Sequence, residues 1–229
     1  MSHSESAEEP LKVLLTGSTG YIGGRLLGLL EDNKYKIRCL ARRPEYLDGR
    51  IGKETVVFKG DLLDTDSLLP AMEGVHTAYY LVHSMGTKGD FEEEDRQAAK
   101  NFRQAAEISG VSRIIYLGGL CSRDYSNSPH MRSRREVGEI LRASSIQVLE
   151  FQASIIIGSG SLSFELVRSL VERLPVMILP RWVRTEAQPI ALKDVLSYLA
   201  KAIDIETVSY THLRAHETEA DLVCRLLLE

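Results

Sequence analysis

The sequence lacks several features that would mark out a function class. Its three cysteines, Cys39, Cys121 and Cys224, stand far apart with no Cys-x-x-Cys pair. That spacing argues against a disulfide framework and a zinc site, and it suits a reducing cytoplasm. No apolar run reaches transmembrane length; the stretch around Val176 to Leu179 is broken by Pro175 and Pro180. The opening Met1-Ser2-His3-Ser4-Glu5 has neither the basic nor the apolar region of a secretory signal. A formal net charge of -4 supplies no field that would draw nucleic acid or an anionic membrane. Acidic and basic residues interleave instead, as in Glu92-Glu93-Glu94-Asp95-Arg96, a pattern expected of a solvated helix face.

What is present reads as one α/β domain. With 229 residues, 44% of them hydrophobic, the chain can bury a sizeable core. Residues 1–10 are polar and expected to be a disordered tail, and 11–207 form the domain. Strands are predicted at Leu11 to Thr16, Lys36 to Ala41, Thr55 to Lys59, Thr77 to Val82 and Arg113 to Leu117. A sixth strand region combines Gln147 to Phe151 with Ile155 to Ile157. Helices are predicted at Tyr21 to Glu31, Asp64 to Glu73, Phe91 to Ser109, Met131 to Ser144, Leu162 to Arg173 and Leu192 to Ile203. The first of these carries Ile22, Leu26, Leu29 and Leu30 on one face, and the third carries Ala98, Phe102, Ala105 and Ala106 as its inner stripe. Strands alternating with helices imply a doubly wound parallel sheet covered on both faces, a Rossmann fold with strand order 3-2-1-4-5-6. The final segment, 208–229, shows no clean strand. It reads either as a C-terminal helix or as a foreign tail, since the string resembles translated sequencing-adapter read-through.

The strongest chemical signal sits at the first strand–helix junction, Thr16-Gly17-Ser18-Thr19-Gly20-Tyr21-Ile22-Gly23-Gly24. In the spacing G-x-x-G-x-x-G, Gly17 allows a tight turn off the strand. Gly20 lets a pyrophosphate approach the backbone, and Gly23 lets the helix pack closely on the sheet. The helix N-terminus adds N–H groups and partial positive charge. Ser18, Thr19, Tyr21 and Ile22 complete the loop. Beyond the second strand, an NAD site places an acid for the ribose 2′-hydroxyl. That acid is absent here: Arg42 and Arg43 stand in its place, and guanidinium groups suit a 2′-phosphate. NADP(H) is therefore expected over NAD(H), with Arg42, nearer the strand end, the main contact. After the third strand, Asp61-Leu62 offers an acceptor for an adenine amino group, although Asp61 is equally a helix cap. Leu81 and Val82, ending the fourth strand, are expected to border the cofactor.

Thr16 to Gly23, Asp61-Leu62 and Gly110-Val111-Ser112-Arg113-Ile114-Ile115-Tyr116-Leu117 resemble the extended and atypical short-chain dehydrogenase/reductases. More specifically, Leu81-Val82-His83-Ser84-Met85-Gly86, Pro180-Arg181-Trp182-Val183-Arg184 and Pro189-Ile190-Ala191-Leu192 resemble the NmrA-like, NAD(P)H-binding bacterial branch. The resemblance covers about residues 11–205. It implies a last strand and a substrate region that this sequence replaces or cuts short near Glu206.

The wider superfamily uses a Ser after strand five and a Tyr-x-x-x-Lys pair on the next helix. This sequence lacks them. Gly118-Gly119 stands where the Ser is usual, Ser122 is a poor substitute, and Tyr125 has no Lys four residues on. The nearest match to the pair is His130-x-x-x-Arg134, which keeps the spacing but changes the chemistry. His130 is a candidate acid or base and Arg134 a candidate ribose or phosphate contact. His83 is the other candidate, after strand four. Each histidine has a plain alternative, a helix cap for His130 and a pocket-bordering polar residue for His83. Two functions follow from these residues. One is an NADPH-dependent reductase of a small carbonyl or quinone-like acceptor; the other is a non-catalytic dinucleotide sensor or assembly protein.

Overall fold

The computed structural model describes residues 10–33, 35–83, 91–120, 128–173, 188–205 and 225–228. Several residues that carry sequence-based expectations lie outside them: Ser84, Met85 and Gly86, Ser122 and Tyr125, the Pro180–Arg184 string, and most of the C-terminal segment.

A parallel sheet runs through the centre. Its strands are β1 (Lys12–Thr16), β2 (Lys36–Ala41), β3 (Val56–Lys59), β4 (Thr77–Tyr80), β5 (Arg113–Gly119) and β6 (Gln147–Ala153). They lie in the order 3-2-1-4-5-6, as the alternation of strand and helix patterns predicts. Interleaved are the helices α1 (Tyr21–Glu31), α2 (Thr65–Met72), α3 (Phe91–Ile108), α4 (Pro129–Arg142), α5 (Leu162–Arg173) and α6 (Leu192–Lys201).

Successive side chains of a strand point to opposite faces, and helices cover both. On one face Val13, Leu15, Cys39, Tyr79, Ile115 and Leu149 pack with Leu26, Leu27 and Leu30 of α1 and Val195, Leu196 and Leu199 of α6. On the other, Leu14, Leu40, Ala78, Tyr80, Ile114 and Val148 pack with residues of α2, α3 and α4. In α1 the buried set is Gly23, Leu26, Leu27 and Leu30, the i, i+3, i+4, i+7 spacing of one face. Leu29, expected inside, is 40% exposed because it falls on the flank of that stripe.

Two expectations about the sheet need correction. Ile155 to Ile157 does not extend the sixth strand. It forms a separate strand, β7 (Ile155–Ile157), paired in parallel with β8 (Pro189–Ala191). The apolar run concealed this break, because periodicity cannot locate a bend within a continuously apolar segment. Second, β9 (Arg225–Leu228) pairs antiparallel with β6, where no strand was expected. Four residues are too few to show an alternating pattern, and the backbone of β6 offers an edge to pair with.

Arg113 ties the far edge together. It is 4% exposed and donates to Gln147 Oε1 at 2.8 Å and to the Ala202 carbonyl at 3.0 Å. It also donates to the carbonyls of Ile203 and Ile205. One guanidinium thus closes the end of the α6 segment onto β5. Each hydrogen bond to a charged group contributes about 1.5–3 kcal/mol. Arg113→Met should cost about 3 kcal/mol and lower Tm by about 6–12 °C in a thermal melt. An unchanged Tm would show that these carbonyls are satisfied without it.

Candidate functional site

β1 leads into the turn that opens α1. Thr16 is buried; its hydroxyl donates to the Tyr79 carbonyl at 2.8 Å and accepts from the Leu81 amide at 3.3 Å, fastening the ends of β1 and β4 together. Gly17 follows with φ +74, and a β-carbon there would lie 2.4 Å from the Leu81 carbonyl oxygen. Only glycine meets both demands. At Gly23 a β-carbon would fall 2.2 Å from the Gly17 carbonyl oxygen, so this glycine seats the helix against its own turn.

Gly20 differs. Its backbone is extended, with φ -80 and ψ 175, and a β-carbon would meet only the Gly17 carbonyl oxygen, at 3.1 Å. A β-carbon here would need that carbonyl to give by only a few tenths of an ångström, far less than at Gly17 or Gly23. Gly20 is also the N-cap of α1, with no side chain capping it and no acid in the first turn. Those are the conditions under which a helix N-terminus receives an anion.

The cleft has a volume of about 460 Å³ and sits between the carboxyl ends of β1 and β4, where the strand order reverses. Gly17, Thr19, Gly20, Arg42, Asp61 and Leu62 border it from one side. Leu81, Val82 and His83 border it from the other. Ser18 and Tyr21 present backbone rather than side chain to this loop. Ser18 is 1% exposed with its hydroxyl turned inward, and the Tyr21 hydroxyl donates to the Ser159 carbonyl at 3.0 Å. Ile22 reaches a smaller inner cavity. Asp61 is not the cap of α2. Asp64 holds that position, and Asp61 Oδ1 accepts from the Leu63 amide at 3.0 Å at the cleft wall.

At the outer end, Thr19, Ala41, Arg42, Arg43 and Tyr46 form a basic recess. Arg43 donates to the Tyr46 hydroxyl at 2.7 Å. Arg42 is exposed beside it, with no carboxylate partner among the described residues.

The inner cavity is lined by Ile22, Leu81, Val82, His83, Tyr116 and Arg134, among others. It shares Leu81, Val82 and His83 with the cleft. Arg134 is half-buried there. His130 is not among the residues lining either space. It is exposed, stacked on Phe91 at 4.7 Å between ring centroids, and meets His83 edge-on at 5.8 Å. Nor is His130 the helix cap, which is Ser128. Tyr116 donates its hydroxyl to the Arg134 carbonyl at 2.8 Å, and burial pushes its ionisation upward, so it stays a protonated structural group. A serine at Gly118 or Gly119 would meet crowding: a β-carbon would lie 2.9 Å from Glu150 Oε1 in the first case and 3.0 Å from Arg134 Cδ in the second.

One group escaped the sequence reading. Asp95, expected on a solvated face, is 3% exposed. Its Oδ2 lies 3.1 Å from His83 Nδ1 and accepts from the Ser133 hydroxyl at 2.6 Å. The signal was available: 95, 98, 102 and 105 share one helical face, so a carboxylate occupies the inner stripe of α3.

Gly20→Val should leave the fold intact by circular dichroism while abolishing dinucleotide binding in a calorimetric titration. Normal binding by the folded variant would move the phosphate site elsewhere. Gly17→Val, by contrast, should fail to fold normally.

A model of the NAD(P)H-binding family matches residues 17–156. The chain is 26% identical over 190 residues to the photosystem II assembly factor Ycf39 of Cyanophora paradoxa, a match covering 81% of this chain and 56% of that protein. The chain thus spans little more than half the length of that relative. Among solved structures, the yeast methylglyoxal/isovaleraldehyde reductase Gre2 complexed with NADPH superposes with a TM-score of 0.70 at 13% identity, covering 85% of this chain and 75% of that one. The Bordetella bronchiseptica enzyme WbmH in complex with NAD+ superposes with a TM-score of 0.67 at 19% identity, covering 85% and 73%. The cleft, its glycine turn and these matches agree: the chain belongs to the NAD(P)H-binding family and has the fold of the extended short-chain dehydrogenase/reductases.

Proposed function

We propose that the protein is an NADP(H)-dependent, NmrA-like oxidoreductase that reduces a small carbonyl or quinone-like acceptor. The observation that supports this most is that the cleft and the inner cavity share a wall, Leu81, Val82 and His83. A phosphate-sized cradle and a basic recess lie at one end. An inner cavity bordered by a histidine and an arginine lies at the other, and Leu81, Val82 and His83 border both the cleft and this cavity.

The residues fit the cofactor. The backbone around Gly17 to Gly23 would hold its pyrophosphate, Asp61 and Leu62 its adenine end, and Arg42 with Arg43 its 2′-phosphate. Leu81 and Val82 would face the ring end, and Arg134 would contact ribose, phosphate or an anionic group on the substrate. When bound, the reduced nicotinamide supplies the hydride, so the protein need contribute only orientation and a proton.

A second reading, a non-catalytic dinucleotide sensor or assembly protein, is favoured by a separate observation. The superfamily's Ser and Tyr-x-x-x-Lys are missing, and the backbone at Gly118 and Gly119 is crowded where a serine would stand. The similarity to an assembly factor points the same way. NADPH oxidation in the presence of carbonyl and quinone acceptors separates the two: turnover establishes the enzyme, and its absence across the panel favours the sensor.

The recess predicts a cofactor preference. NADPH should bind more tightly than NADH in parallel calorimetric titrations. Arg42→Ala should weaken NADPH binding by about 1.5–3 kcal/mol and leave NADH nearly unaffected. Equal affinity of the unaltered protein for the two cofactors would refute the assignment of the recess.

A further inference from the structure

The short-chain reductase pattern puts its acid on the helix after strand five, the helix that here carries His130 and Arg134. The described side chains assemble a different group. His83, just past β4, is the one imidazole that borders both the cleft and the inner cavity. Its Nδ1 lies 3.1 Å from Asp95 Oδ2. The same carboxylate oxygen accepts from the Ser133 hydroxyl at 2.6 Å. His83 keeps 22% of its side chain exposed, whereas Asp95 is 3% and Ser133 1% exposed. Three elements therefore meet at one carboxylate: the end of β4 through His83, the start of α3 through Asp95, and the second turn of α4 through Ser133. Phe91 and His130 pack outside it, with His130 edge-on to the His83 ring.

We propose that Asp95 and Ser133 are positioning residues that fix the His83 ring for proton transfer to the substrate oxygen in the inner cavity. This rests on the reductase reading. With Nδ1 donating to Asp95, the nitrogen left for a substrate is Nε2. A buried carboxylate held by a second donor cannot rotate away, so both the ring plane and the tautomer are set. In the reduction, the carbonyl carbon gains a hydride from the reduced nicotinamide and the C–O π bond opens. The oxygen takes the proton from Nε2 of the His83 imidazolium, and the ring is left neutral with its proton on Nδ1, facing Asp95. A proton from water restores it. In the reverse direction the Nε2 lone pair takes the alcohol proton. His130, exposed and outside both spaces, plays no part in this transfer, and Arg134 serves to bind rather than to move a proton.

The alternative is that the three side chains merely pin α3 and α4 to the sheet. A test must therefore read something that pinning alone would not change. Asp95→Leu keeps the branched shape but offers no acceptor to Nδ1–H, and retention of its fold is checked by circular dichroism. Imidazole nitrogen chemical shifts of the full chain, measured in the neutral form of the ring and assigned with His83→Gln, report which nitrogen carries the proton. The expected result is Nδ1–H in the unaltered protein and a shift to Nε2–H in Asp95→Leu. NADPH affinity should change less than about threefold, and acceptor turnover should fall by about 10²–10⁴-fold, the scale of a positioned acid or base. Ser133→Ala, which keeps the carboxylate, should show an intermediate loss with Nδ1–H retained. The same tautomer in both proteins would overturn the positioning of His83, whatever the turnover. Full turnover by His83→Gln would overturn its role as proton donor. If the unaltered chain turns over no acceptor while the tautomer still switches, the reductase reading falls and takes the proton-transfer role with it, leaving Asp95 only as the group that orients the ring.

Discussion

At the carboxyl ends of β1 and β4 the backbones approach so closely that a β-carbon on Gly17 would stand 2.4 Å from the Leu81 carbonyl oxygen. Thr16 reinforces the approach by bonding both Tyr79 and Leu81. This contact fixes where α1 begins, because the turn must double back at Gly17 before the helix can start at Tyr21. It also fixes the level at which β4 ends. The cleft opens there because the chain departs to opposite sides from β1 and β4 at the point where the strand order reverses. The glycine turn and the Leu81–His83 wall are thus two sides of one backbone junction. A fault at Gly17 would displace both, whereas one at Gly20 would affect only what enters.

Features governed by local periodicity were legible in the sequence. The strand order, the limits of α1 and β2, and the glycine turn between β1 and α1 all rested on alternation, glycine spacing and short connections. Features governed by the partner surface were not. Ile155 to Ile157 is apolar enough for either sheet, and only its pairing with β8 decides between them. The strand at Arg225–Leu228 gains its identity from the edge of β6 rather than from any pattern of its own. At the site, Arg42, Asp61, Leu81 and Val82 could be placed because strand ends point into the crevice of such sheets. His130 and Arg134 share a helix and a spacing, yet only Arg134 reaches the inner cavity. A separation of four residues does not determine which neighbour each side chain meets.

Asp95 shows why charge patterning can mislead. Within Glu92-Glu93-Glu94-Asp95-Arg96 it looks like one more solvated acid, and Glu93 and Glu94 are indeed exposed. Asp95 turns inward because it sits one helical step ahead of Ala98 and two ahead of Phe102, on the stripe that packs against the sheet. Burying a carboxylate costs several kcal/mol unless hydrogen bonds replace the lost water. Ser133 and His83 provide such bonds here. An alanine would continue the stripe at no such cost, and Ala98, Ala99, Ala105 and Ala106 do so further along the helix. The carboxylate stands where the stripe reaches the cleft, and its polar contacts there include His83, which lines both cavities.

That location bears on the missing serine. In this chain the strand-five end cannot carry one without moving Glu150 or Arg134. Glu150 is itself committed: it is 2% exposed, paired with Arg142, and accepts from Gln152 at 3.0 Å. At Gly118 a serine would press on the carboxylate of this buried ion pair, and at Gly119 on the side chains of Arg134 and Met131. Strand four has no such obstruction. Its end is already fastened by Thr16 and Gly17, and α3 brings a carboxylate to within hydrogen-bonding distance of His83. If His83 acts as proposed, the polar group beside the inner cavity is displaced by one strand relative to the superfamily pattern. The strand that leads to Leu81 and Val82 at the cleft wall is also the one that presents the imidazole.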